Sequence, residues 1–380
     1  MSPVKNNIIF ESCIKGHVLE YLHNIYMHAI HCKGNFIFLL PHSFEKAKLI
    51  LDWPVANNVT FYFISDEEAE KCNQPSVLKS ALERSRCIRK YAKKLKADNI
   101  FLIFLIRTMP FLPFYLPSGT KASGIIYSIP LYKSLQSKVQ IIKDRIVYCL
   151  FARKRGIKNI FLLNDPRSAE YYNQKYGTDK FKHLTDPIPN IDISQVMDLR
   201  IELGIPQNNR IYLQFGSMDN RKNTLNILRA IKLMSEEELK GKTFVFMGRL
   251  NENIREYFNK IVDELKNKVQ IILKEGFVPY EFLNSMCYTT DVILTLYSNV
   301  EMSSGSIGYA AYFGKPVIAP STGLLGNLVK DNCLGLTVDH ITPENIKNAL
   351  LADIRPQKNK YKDTHTVDLF CHSILNSLNC

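Results

Sequence analysis

The second half of the chain alternates short apolar runs with stretches whose apolar residues return every three or four positions. The runs predict strands at residues 210–215, 243–247, 269–273, 291–296, 316–319 and 335–338. The stretches predict helices at 223–234, 253–265, 279–287, 304–313, 324–329 and 342–351. Strands that are nearly all apolar are covered on both faces, so this half reads as a parallel, doubly wound α/β domain.

The first half repeats the theme less regularly. Strands are expected at 8–10, 36–40, 60–64, 100–106, 124–127 and 160–163, and helices at 17–29, 75–95 and 131–155. A proline-rich break at 186–190 marks a linker, and the amphipathic stretch 364–378 predicts a helix returning to the first domain. The expected domains are therefore 1–190 and 191–363, with 364–380 as that helix. At 380 residues the chain exceeds what a single core usually holds, which agrees with two domains.

Composition narrows the class. The chain is 46% hydrophobic and 22% charged, as in globular proteins. Its formal charge of +13 suits an anionic partner such as a nucleotide or an acidic membrane. The basic clusters, 84–96 and Arg153-Lys154-Arg155 with Lys158, come without an RNA-binding signature, so nucleic acid is not expected as a partner. Nine cysteines with no CxxC pair read as reduced thiols in a cytoplasmic protein, and no metal-ligand spacing occurs. The first seven residues are polar and do not resemble a signal peptide. The most apolar window, 100–116, is interrupted by Arg107, Pro110 and Pro113 and does not read as a membrane span. Its 109–116 portion reads as an apolar loop, packed inside or dipping into a membrane interface.

The stretch 301–320 carries the clearest chemistry. Glu301 is followed by Ser303, Ser304, Gly305 and Ser306 at a helix start, then by Gly314-Lys315-Pro316 and an apolar strand. Free amides and the positive end of a helix at such a start favour an anion, while the carboxylate is left for sugar hydroxyls. Arg221 and Lys222 follow a strand end, where ligands of doubly wound sheets bind. In the first half, Gly16 and His17 close the loop after the first strand, with His17 a candidate general base.

Several of these motifs fall in the order seen in one family. Phe215-Gly216-Ser217 through Arg221-Lys222-Asn223, 244–248, Gly276-Phe277-Val278, the run from Glu301 to Ala319, and 323–335 together resemble the retaining glycosyltransferases of family 4 (glycosyl transferases group 1), of the bacterial polysaccharide-biosynthesis type. The resemblance is good over about 205–350 and architectural over the first 190 residues. It implies a GT-B fold: two facing Rossmann-like doubly wound domains with a cleft between them, acceptor side first and nucleotide-sugar side second. It implies a metal-independent, retaining transfer of a sugar from a nucleoside-diphosphate sugar to a polysaccharide or lipid-linked glycan, without a cofactor. Glu301 and His17 would be catalytic. Gly16, Ser217, Arg221, Lys222, Gly276, Phe277, Val278, Ser303, Ser304, Gly305, Ser306 and Tyr309 would hold the donor. Two positions depart from the family pattern: Tyr309 stands where a second glutamate is usual, and Ser217 where arginine is common. A nucleotide-sugar epimerase on the same fold, or a catalytically weak GT-B binding or scaffold subunit, are the alternative readings. The expected location is cytoplasmic, at the inner face of a membrane.

Overall fold

Thirteen strands among the described residues form two sheets, each wholly parallel. The computed structural model describes residues 4–13, 18–46, 53–133 and 137–378. Gly16 and His17 lie outside them. The chain divides into two units, 1–185 with 367–380, and 186–366.

The first unit holds β1 (Asn6–Phe10), β2 (Asn35–Pro41), β3 (Val59–Ile64), β4 (Asn99–Leu102), β5 (Lys121–Ile126), β6 (Ile157–Leu163) and β7 (Phe181–Leu184), in the order β3-β2-β1-β4-β5-β6-β7. The strand expected at 100–106 ends at Leu102, and a 3₁₀ turn over Leu105–Thr108 follows. The apolar stretch 109–116 is only partly exposed. Leu112 is buried in a short helix, Leu112–Tyr115, whose Phe114 is 59% exposed. β7 escapes the apolar-run criterion because Lys182 and His183 interrupt it.

The Val18–Ala29 helix buries Val18, Tyr21, Leu22, Ile25, Tyr26 and Ala29, a stripe at the helical repeat. The Val367–Ser377 helix packs on it, with the Tyr21 and Phe370 rings 4.8 Å apart. Phe36, Phe38 and Phe101 fill the space beneath.

The second unit holds β8 (Arg210–Phe215), β9 (Lys242–Gly248), β10 (Gln270–Glu275), β11 (Val292–Leu294), β12 (Val317–Pro320) and β13 (Gly335–Val338), ordered β10-β9-β8-β11-β12-β13. Its core gathers Ile227, Ile231, Phe244, Phe246 and Phe258. In both sheets the chain runs outward to one edge, then crosses back beyond its first strand. The order reverses at β1/β4 and at β8/β11. Crevices at such reversals, at the carboxyl ends of the strands, are where these sheets bind ligands. No helix among the described residues is long and apolar enough to cross a membrane.

Candidate functional site

The site begins where β8 ends. Gly216 has φ +91°, and a Cβ there would stand 2.6 Å from the Lys222 Nζ. Lys222 is held from every side. Its amide donates to Asp219 Oδ1 at 2.9 Å, and its carbonyl accepts from Gln214 Nε2 at 2.8 Å. Its ammonium donates to the Phe215 carbonyl at 2.6 Å. Only 8% of the residue is exposed. Among the described residues its ammonium has no carboxylate as a hydrogen-bond partner, which leaves positive charge for an incoming anion.

Next to it, Arg221 lies 3.7 Å from Asp219 and keeps 41% of its side chain exposed. Asn223, at φ +54°, turns the chain and donates from Nδ2 to the Leu296 carbonyl at 2.8 Å. Ser298 donates to the Arg221 carbonyl from its amide at 2.8 Å and from its hydroxyl at 3.1 Å. The exits of β8 and β11 are thereby tied together.

Tyr297, at the β11 exit, stands between the cations and the next helix. The Lys222 Nζ is 5.0 Å from its ring centroid, and the Arg221 guanidinium 5.6 Å. Ser304 donates to the Tyr297 hydroxyl at 3.1 Å, Ser306 lies 3.2 Å from the same oxygen, and the two serine hydroxyls are 2.7 Å apart. Ser304 also caps the Gly305–Tyr312 helix by accepting the Ser306 amide. Burial pushes the Tyr297 phenol up, but the Lys222 charge and the serine hydroxyls outweigh it, and the pKa is lowered. The structure thus brings Lys222, Arg221, Ser304 and Ser306 together around a tyrosine. The sequence reading gave Tyr297 no role, although it follows the strand expected at 291–296. Its role depends on serines seven and nine residues later folding back.

A cavity of about 450 Å³ opens at the ends of β8, β9 and β10, lined by Phe215, Ser217, Met247, Arg249 and the Gly276–Val278 loop. It collects Ser217, Gly276, Phe277 and Val278 in one place. Phe277 is 86% exposed, an unpacked aromatic at the rim suited to a flat ring. The Ser217 hydroxyl donates to Asp219 Oδ2 at 3.2 Å. Tyr309 is 4% exposed and meets Phe215 edge-on, 5.6 Å between centroids. Phe215 therefore links the cavity, Tyr309 and the Lys222 ammonium. Glu301 and Ser303 are half-buried in the turn between β11 and the helix, where Leu324 donates to the neighbouring Val300 carbonyl at 2.7 Å.

The corresponding reversal in the first unit carries a buried polar network. Glu11 follows β1 and accepts the Ser12 and Cys13 amides at 2.8 and 3.0 Å and Arg84 Nη1 at 3.4 Å. Arg84 Nε donates to the Cys72 carbonyl at 2.8 Å and its Nη2 to Asn73, whose Nδ2 holds the Ser12 carbonyl at 2.7 Å. The start of the β1 loop is therefore fixed by side chains. Burial raises the Glu11 pKa above 4.5, against the pull of Arg84, Arg107 and the two amides. The folded protein then holds this proton more tightly than the unfolded chain, so the stability Glu11 contributes is greatest below about 4.5 and declines as pH rises through the raised folded value. Denaturant titrations at about pH 4, 5.5 and 7 should show the native protein losing ground to Glu11→Gln as pH rises. The opposite slope would refute the shift.

With this geometry in hand, comparisons with known proteins bear on the class. Residues 196–362 match the family model of glycosyl transferases group 1. A comparison with curated proteins finds no match. Among solved structures, HepE of Anabaena, crystallised with UDP and glucose, is similar at a TM-score of 0.64 and 14% identity, covering 99% of this chain and 100% of that one. A glycosyltransferase from Rickettsia africae gives 0.63 and 12%, over 99% and 98%. A UDP-forming trehalose-phosphate synthase from Burkholderia xenovorans, in complex with glucose-6-phosphate, gives 0.66 and 9%, over 99% and 100%. The fold is GT-B, and the family-model match supports a glycosyltransferase-type activity.

Proposed function

We propose that the chain is a retaining glycosyltransferase, using a nucleoside-diphosphate sugar and delivering the sugar to a polysaccharide or lipid-linked glycan. The observation that carries this reading is the set of cations and hydroxyls around Tyr297, beside an aromatic-rimmed cavity at the ends of β8–β10. The base enters the cavity near Phe277, and the diphosphate meets Lys222, Arg221 and the serines at the helix start. HepE, crystallised with UDP, makes uracil the first base to try. The bond from the anomeric carbon to the diphosphate oxygen breaks as the acceptor oxygen bonds to that carbon. The acceptor proton passes to the departing phosphate. Negative charge then grows on the diphosphate, where Lys222 and Arg221 stabilise it, so no metal is needed for that task. Glu301 orients the sugar hydroxyls and favours positive charge at the anomeric carbon.

The test is incubation with UDP-, GDP- and ADP-sugars, following nucleotide release and thermal stabilisation. A ligand at about 100 times its Kd stabilises by about 2.7 kcal/mol. Glu301→Gln should cut turnover by about 10²-fold and leave nucleotide binding in place. Failure to bind or turn over any of these donors would sink the proposal. Donor binding without turnover would favour the scaffold reading, and turnover untouched by Glu301→Gln would remove Glu301 from the chemistry.

We further propose that the enzyme works at the inner, anionic face of a membrane. The support is the net charge of +13 and the Lys138–Arg153 helix, which exposes Val139, Ile142 and Ile146 at helical spacing beside Lys138, Lys143 and Arg145. Anionic liposomes should pull the protein down, and high salt or the double change Ile142→Ser, Ile146→Ser should release it. Equal sedimentation with neutral vesicles would contradict this.

A further inference from the structure

A second cavity, of about 270 Å³, lies in the first unit between the Lys138–Arg153 and Pro166–Tyr176 helices. Its size falls just under the ~300–1,000 Å³ of sites for drug-sized ligands and suits a single ring. Tyr148, Tyr171 and Tyr176 give it aromatic walls, and Lys133, Arg145 and Lys175 stand around it against the carboxylate of Asp144. The Lys175 ammonium sits 5.0 Å from the Tyr171 ring centroid and 5.7 Å from that of Tyr176.

Tyr148 is the telling residue. It is 3% exposed, and its hydroxyl is buried with no hydrogen-bond partner among the described residues. Burial raises its pKa well above the ordinary value, so it stays a neutral donor. A buried hydroxyl left unpaired costs about 1–3 kcal/mol, and an apolar occupant would leave it so. A sugar ring answers all three features. Its C–H face lies on tyrosine rings, its hydroxyls meet Tyr148, and an acid group meets the cations.

We propose that this cavity binds an anionic sugar unit, carboxylated or phosphorylated, with Tyr148 bonding a ring hydroxyl and Arg145, Lys133 and Lys175 receiving the acid. The ligand's use as a handle on the acceptor glycan rests on the glycosyltransferase reading; the binding itself does not. Saturation-transfer NMR on the full chain, titrated with glucuronate, glucose 6-phosphate and glucose, tests it. Both acids should bind and glucose should bind more weakly. Tyr148→Phe should weaken glucuronate about tenfold while the melting temperature holds or rises, because the hydroxyl it removes has no partner in the empty protein. Arg145→Ala, an exposed change, should erase the preference for acids over glucose. Binding unaffected by Tyr148→Phe, or no acid sugar bound at concentrations on the order of 10 mM, would overturn the proposal. Loss of nucleotide release with this binding intact would sink the donor-site reading alone, and the reverse result this one alone.

Discussion

Lys222→Met should lower kcat/KM for the nucleotide-sugar donor by about 10²–10³-fold, the usual loss on removing one preorganised group that meets growing negative charge. Two features make the effect large. The residue is 8% exposed, so the field of its charge is weakly screened, and its ammonium is fixed at 2.6 Å from the Phe215 carbonyl, so little reorganisation accompanies the reaction. The loss should fall mainly on kcat, because the diphosphate carries more charge as it departs than when bound. The substitution also leaves the Phe215 carbonyl without its partner, at about 1–3 kcal/mol, and a thermal melt separates that structural cost from the catalytic one. Lys222→Arg should not restore activity, since a planar fork does not fit where Nζ touches the β8 exit. A variant with unchanged kcat would remove Lys222 from the chemistry.

Gly248→Ala should destabilise the second unit by more than about 3 kcal/mol, lowering its melting temperature by roughly 6–12 °C. Gly248 has φ +121°, and a Cβ there would stand 2.1 Å from the Gly216 carbonyl oxygen. Neither backbone can retreat, because Gly216 donates its amide to Met247 at 2.8 Å and Gly276 donates to Gly248 at 3.0 Å. Gly276→Ala is the control. Its φ of +104° carries a similar conformational cost, but nothing lies within 4 Å of the added carbon. Differential scanning calorimetry should show the smaller loss there. Equal effects would mean that backbone strain, and not the close approach of the β8 and β9 ends, decides the matter.

Much of the second unit was legible because its strands are unbroken apolar runs between periodic helices. Arg210–Phe215 and Gly335–Val338 match the sequence reading in full. The first unit was harder. Phe181–Leu184 carries two outward polar residues in four, and the helix read as 131–155 starts only at Lys138, where Ser137 caps it by accepting the Gln140 amide at 3.2 Å. In the site, glycines and cations announce themselves by type and spacing. What surrounds them does not. The Arg221-Lys222 pair also fits a solvated basic turn, and the Gln214, Asp219 and Phe215 bonds are what place Lys222 inside. Glu11, Arg84 and Asn73 are far apart along the chain, and no local pattern joins them.

The Val367–Ser377 helix belongs to the unit built from the beginning of the chain, whereas residues 186–366 form a continuous unit of their own. During synthesis the earlier-made portion must therefore wait for its last wall, with the apolar stripe around Tyr21 and Ile25 uncovered, while the later-made portion already has all its pieces. The early unit thus depends on a distant, later-made segment for its closure, and a chaperone that shields the Tyr21 face would serve it until that segment docks.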